Sequence, residues 1–259
     1  MKNYEEDFQF AEDFYEKKEY KKALELFAML NDREETNDCL NYIGCCNLEL
    51  GEYSTAIRIF ENLIQQNPDW ERPVFNLGRV YLKLKLMDEA FEFLKKAITI
   101  NPQSEDGFYY LGVLEFQKGN YKIASEYYEK SLALDYNQPE VHNNLGICYF
   151  QEKCYEKALY ELNISLNLDD PEIDTIYNIG LINLTLKKYQ SALNIFLKLN
   201  YQFPEDIEYI MEIVRCYSEM GDLESCINWN DNILRLDAEN KDAKLAAEKF
   251  RIRRDNLKK

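Results

Sequence analysis

Residues 74–102 read VFNLGRVYLKLKLMDEAFEFLKKAITINP. Apolar side chains fall at Phe75, Leu77, Val80, Tyr81 and Leu84, then at Ala90, Phe93, Leu94, Ala97 and Ile98, the spacing of two consecutive helices with one apolar face each. Gly78 and Ala90 in this stretch belong to two ladders. Gly44, Gly78, Gly112, Gly146 and Gly180 recur at one constant spacing, a period of 34. Ala56, Ala90, Ala124, Ala158 and Ala192 each stand twelve positions after their glycine. Upstream, Ala11 and Ala23 keep the spacing of twelve one position out of phase; downstream, Val214 and Cys226 keep both spacing and phase. Small residues at fixed positions predict sites where one helix closely approaches another, because a larger side chain there would force the helices apart.

The ladders predict seven helix pairs starting near residues 4, 37, 71, 105, 139, 173 and 207, followed by an amphipathic helix over 241–259 with Ala243, Ala246, Ala247, Phe250 and Leu257 on one side. Gly51, Gly119 and Gly221 lie seven positions after the glycine or valine slot, where a left-handed residue ends the first helix of a pair. Pro68, Pro102, Pro139, Pro171 and Pro204 fall at the joints between pairs, and Pro73 suits a first turn. Gly107 is left without a role. No linker rich in glycine, proline or serine interrupts the repeats, which reads as one domain.

A 34-residue period carrying Leu77-Gly78, Tyr81, Ala90 and Pro102 resembles the tetratricopeptide repeat, and Leu145-Gly146, Tyr149 and Ala158 match nearly as well. The family's tryptophan slot holds Leu40, Val74, Phe108, His142 and Ile176, and the terminal repeats lack the glycine. The resemblance covers residues 4–240. It implies an all-α, right-handed superhelical solenoid of antiparallel helix pairs, with 241–259 as a polar-faced capping helix.

Composition narrows the function classes. The net charge of -16 argues against general nucleic-acid binding, which needs a cationic surface, and favours solubility and basic partners. The first residues, Met1 to Asp7, are polar and acidic with no apolar signal core after them, and no window approaches 18 uninterrupted apolar residues. The expectation is a cytoplasmic protein without membrane insertion. Seven cysteines without a CxxC pair predict neither a disulfide framework nor a zinc site, with Cys45 and Cys154 expected to be the exposed ones. His142, the single histidine, leaves a Ser-His-Asp triad and a histidine metal site without their parts. No phosphate-binding glycine loop occurs, so no enzyme, cofactor or metal is expected.

In the family, the first helix of each repeat lines a concave groove that takes partner peptides. On those helices the positions three before, one after and four after the glycine slot form one stripe. It includes Cys45, Leu48, Phe75, Arg79, Tyr109, Phe116, Asn143, Phe150 and Tyr177. An apolar stripe of this kind marks an interaction surface unless neighbouring helices cover it. Two before the glycine stand Tyr42, Asn76, Tyr110, Asn144 and Asn178. The three asparagines resemble the ladder in the repeat domain of the nucleocytoplasmic O-GlcNAc transferase, where amides bond the backbone of an extended peptide; an asparagine-rich chain would also place them there. A chaperone-type carboxylate clamp is absent, since Phe8, Asn41 and Phe75 stand where its first lysine belongs. Arg72, Arg79 and Lys83 form one local basic cluster, suited to an anion or to pairing with Glu49 or Asp38. The function expected is a protein–protein interaction module holding an extended or helical peptide. The alternatives are a self-associating homo-oligomeric scaffold and a regulatory subunit of an enzyme.

Overall fold

The computed structural model describes residues 4–168 and 173–257. Among them stand fifteen α-helices and no strand. Two compact units divide the chain, 1–136 and 137–259. In the first unit four helix pairs follow one another: α1 (Tyr4–Glu16) with α2 (Tyr20–Arg33), α3 (Asn37–Glu49) with α4 (Tyr53–Gln66), α5 (Glu71–Lys83) with α6 (Met87–Ile100), and α7 (Glu105–Gln117) with α8 (Tyr121–Leu134). The second unit holds α9 (Pro139–Gln151) with α10 (Tyr155–Leu168), α11 (Ile173–Thr185) with α12 (Tyr189–Gln202), α13 (Ile207–Met220) with α14 (Leu223–Leu236), and then α15 (Lys241–Leu257). Pro171, counted among the joint prolines, and the last two lysines lie outside the described residues, as does the side chain of Leu257.

Each ladder glycine faces the residue sixteen positions later on the second helix of its own pair. A Cβ at Gly44, Gly78, Gly112, Gly146 or Gly180 would stand 2.5–2.8 Å from Phe60, Leu94, Tyr128, Leu162 or Phe196, respectively. Those five side chains are buried, as are the ladder alanines. Gly107, unassigned from sequence, has the same cause: a Cβ there would lie 2.6 Å from Ile98 Cγ2. Within each unit the second helix of a pair also packs on the pair that follows. Ala56, Phe60 and Leu63 meet Leu77 and Val80; Ala90, Leu94 and Ala97 meet Leu111 and Leu114; Ala192, Phe196 and Leu199 meet Ile213 and Cys216. Full burial of a Phe or Leu side chain contributes about 1.5–3 kcal/mol, so the core holds neighbouring pairs together as well as the two helices of one.

The turn inside a pair is the same seven times over. Its residue seven after the slot is left-handed, at φ of +82°, +78° and +79° for Gly51, Gly119 and Gly221. In the other four pairs the position belongs to Lys18, Lys85, Lys153 and Lys187, at φ of 59–61°. In every case the following N–H donates to the carbonyl five positions back, as from Glu52 to Asn47 and from Leu86 to Tyr81 (2.8 and 2.9 Å). This bond pattern closes a helix C-terminus only when that residue is left-handed. The geometry therefore overrides the residue's own preference at four lysines.

Helix α15 lies on the last pair through buried Ala243 and Ala247 and half-buried Phe250. The buried Asn230 amide donates to the Ala243 carbonyl at 2.8 Å, fixing its height on α14.

Candidate functional site

In the first unit the faces of α3, α5 and α7 meet around Arg79. Its Nη2 donates to Glu49 Oε1 at 2.6 Å and its Nη1 to Asn76 Oδ1 at 3.1 Å. Its guanidinium carbon stands 5.2 Å from the Tyr110 ring centroid and 5.8 Å from that of Phe75. Asn76 Nδ2 in turn donates to Asn41 Oδ1 at 3.2 Å. Both charged side chains are mostly covered, at 15% exposure for Arg79 and 18% for Glu49. A pair so placed is held by hydrogen bonds as much as by charge, and losing either partner strands the other.

This cluster decides the sequence-predicted residues of the unit. Asn76 and Phe75 are buried, at 5% and 9% exposure, and Cys45, Leu48 and Leu82 are buried as well. The apolar stripe is therefore covered by neighbouring first helices along α3 and α5. Cys45, expected at the surface, lies inside, and burial pushes its thiol up to about 11. Arg79 is bound to Glu49, while Arg72 and Lys83 are exposed, and neither makes an ion pair among the described residues. The three basic side chains thus do not act as one group. Tyr109, Tyr110 and Phe116 are half-buried, with the two tyrosine rings edge to face at 5.0 Å and Phe116 against Tyr121 at 5.4 Å.

A cavity of about 370 Å³ opens over the cluster, lined by Asn41, Arg72, Phe75, Asn76, Arg79, Ser104 and three carboxylates, Glu71, Glu105 and Asp106. Glu71 accepts the Ser104 hydroxyl at 3.1 Å. Partial loss of solvent raises the carboxyls of half-buried Glu71 and of exposed Asp106, and the neighbouring acids push the same way. Sequence reasoning missed Glu71 and Asp106. Their position at the start of a first helix is the usual place for an acid beside the helix dipole, and hides any second role.

In the second unit the equivalent face is more open. Asn144 on α9 and Asn178 on α11 are half-buried, and neither amide has a hydrogen-bond partner among the described residues. Asn143 Oδ1 accepts from Thr175 Oγ1 at 2.9 Å, and Tyr177 donates to Glu208 at 2.8 Å. Phe150 is half-buried beside Tyr155, Ile147 and Leu181 are half-buried, and Met211 is 46% exposed. His142 is buried with Nδ1 2.6 Å from Glu161 Oε2, a packed position in the tryptophan slot.

Among the described residues no group of three or more His, Cys, Asp or Glu side chains is arranged to hold a metal, and no helix is long and apolar enough to cross a membrane. Cys39, Cys46, Cys148, Cys216 and Cys226 are buried like Cys45, and only Cys154 is exposed.

A family model described as "Tetratricopeptide repeat" matches residues 47–111, and one described as "Anaphase-promoting complex, cyclosome, subunit 3" matches residues 117–199. No curated protein matches the chain. Among solved structures it is similar to YrrB, described as a TPR protein with an unusual peptide-binding site, at 18% identity over 73% of this chain and 97% of that one, with a TM-score of 0.67. It is similar to pilF of Pseudomonas aeruginosa at 19% identity, covering 80% and 94%, with a TM-score of 0.69. The C-terminal part of a TPR repeat-containing protein from Cytophaga hutchinsonii is 22% identical over 92% of this chain and 98% of its own, with a TM-score of 0.66. These likenesses, all under 25% identity, concern the fold. The 34-residue period, the helix pairs built on it and the family model over residues 47–111 agree: the chain is built of tetratricopeptide repeats.

Proposed function

We propose that this protein is a non-catalytic binding module that holds a peptide segment of a protein partner, extended or helical, against the faces of its first helices. The observation that carries this reading is the pair Asn144 and Asn178. They stand one repeat apart on successive first helices of the second unit, both half-buried and both without a partner among the described residues. An amide offers donor and acceptor together, and one that no side chain or backbone group of the protein engages is free to exchange its water for a peptide backbone. Ile147, Phe150 and Leu181 supply half-buried apolar surface beside them.

Site-specific photo-cross-linking tests the reading. A benzophenone residue at Phe150 or Leu181 is expected to cross-link to the partner. The same group at Tyr160, 64% exposed on second helix α10, is expected not to. Cross-linking from Tyr160 alone would move the interface to the second helices.

A second reading, self-association, is favoured by Leu245 and Ile252, 52% and 54% exposed on α15. Light scattering of the free protein at tens of micromolar separates the two, since a monomer removes it.

A further inference from the structure

The cavity above Arg79 is lined by two unlike sets of groups, uncharged or neutralised donors in one and carboxylates in the other. In one, Arg79 is bonded to Glu49 and Asn76, and its Nε is buried without a hydrogen-bond partner among the described residues. Beside it the Asn41 side chain is 5% exposed; its Oδ1 accepts from Asn76, and its amide N–H groups have no partner among the described residues. The Asn41 amide thus lines the cavity with spare donors, and a donor on so buried a side chain is rarely left unpaired in a finished site. In the other are Glu71, Glu105 and Asp106, none of them ion-paired among the described residues. Arg79 is neutralised by Glu49, so the lining charge still uncompensated is that of Arg72 against three carboxylates, net -2. An anion entering here would meet one unpaired guanidinium and three repelling carboxylates. A cation meets the reverse.

We propose that the segment bound by this protein presents a lysine or arginine side chain to this cavity. Its cationic head lies against Glu71, Glu105 and Asp106, and the backbone carbonyl of the same residue accepts from Asn41. The inference rests on the groove reading above and adds the partner's chemistry to it. It is consistent with the chain's net charge of -16, which draws basic segments to the surface before any contact forms. Arg79 has a positioning role: bonded to Glu49, it holds Asn76, whose amide in turn bonds Asn41.

The test uses the full chain and fluorescein-labelled nonapeptide pools, acetylated and amidated at their ends to remove terminal charge. The central residue of each pool is fixed as lysine, arginine, norleucine or glutamate, and binding is read by anisotropy. Lysine and arginine pools are expected to bind about five- to tenfold more tightly than the norleucine pool, and the glutamate pool more weakly than all three. In a Glu71→Gln/Asp106→Asn variant the preference is expected to fall to about twofold or less. The glutamine amide of that variant still offers an oxygen to Ser104, and a thermal melt confirms folding. A lysine preference that persists in the variant would place the attraction elsewhere on the acidic surface and overturn the inference. Pools that bind alike would overturn it and leave the groove reading standing, whereas a failure of every pool to bind would count against both.

Discussion

The backbone of Gly112 lies so close to the ring of Tyr128 that a methyl group on it would stand 2.5 Å from Cε1. The same relation between a first-helix glycine and a second-helix side chain recurs at Gly44, Gly78, Gly146 and Gly180. Alanine is favoured by about 1 kcal/mol over glycine inside a helix, so propensity alone would replace every one of them. Contact decides otherwise. We expect Gly112→Ala to destabilise by about 1–3 kcal/mol in urea denaturation, the cost of overpacking a rigid ring contact. A neutral or stabilised variant would mean that the ring yields and that the ladder has another cause.

The four left-handed lysines make the opposite prediction. Lys18, Lys85, Lys153 and Lys187 are exposed, at φ near 60°. A Cβ in this region is strained by roughly 1–2 kcal/mol, whereas glycine loses about 0.5–1 kcal/mol in extra chain entropy. Replacing Lys85 or Lys187 with glycine is therefore expected to stabilise by about 0.5–1 kcal/mol. Chemical denaturation of each single variant is sufficient to see it. A loss of stability would show that the lysine side chains make a compensating interaction at the helix end.

These two positions also mark what a reader of the sequence can see. The close-contact slots were legible because only the smallest residues fit, and period plus identity then reveals the pairing. The left-handed turns were legible at Gly51, Gly119 and Gly221 and hidden at the four lysines, because the closing bond at each turn forces the backbone there whatever residue stands at it. On the candidate face, the repeat phase brought Asn76, Asn144 and Asn178 to one equivalent slot. The pairing of Arg79 with Glu49 on the preceding first helix was one of the two readings the sequence offered; what it could not reveal is that Arg79, three positions on, also bonds Asn76. Nor could it reveal that Asn144 and Asn178 keep amides unbonded among the described residues. Burial of Cys45 and Phe75 was hidden for the same reason: what covers them arrives from repeats on either side.

The Arg79–Glu49 pair carries a stability prediction of its own. Glu49→Gln leaves a mostly covered guanidinium without its counter-charge and is expected to cost about 2 kcal/mol, somewhat less than a fully buried pair because both side chains keep some exposure. An Arg79→Met/Glu49→Leu double variant is expected to recover most of that loss, since neither charge is then stranded. If the double variant is as unstable as the single one, the hydrogen bond to Asn76 and the ring contacts, rather than the charge pair, hold the cluster.

The most direct measurement is a calorimetric titration of the cross-linked partner's segment against wild type and an Asn144→Ala/Asn178→Ala variant. Each amide-to-backbone contact contributes about 0.5–1.5 kcal/mol, so the pair is expected to weaken binding by about 1–3 kcal/mol, roughly 5- to 150-fold. Stability is expected to change little, because neither amide is bonded among the described residues. A Tyr160→Ala control on α10 is expected to bind like wild type. Equal affinities for the double variant and wild type, with both folded, would contradict binding on the first-helix face.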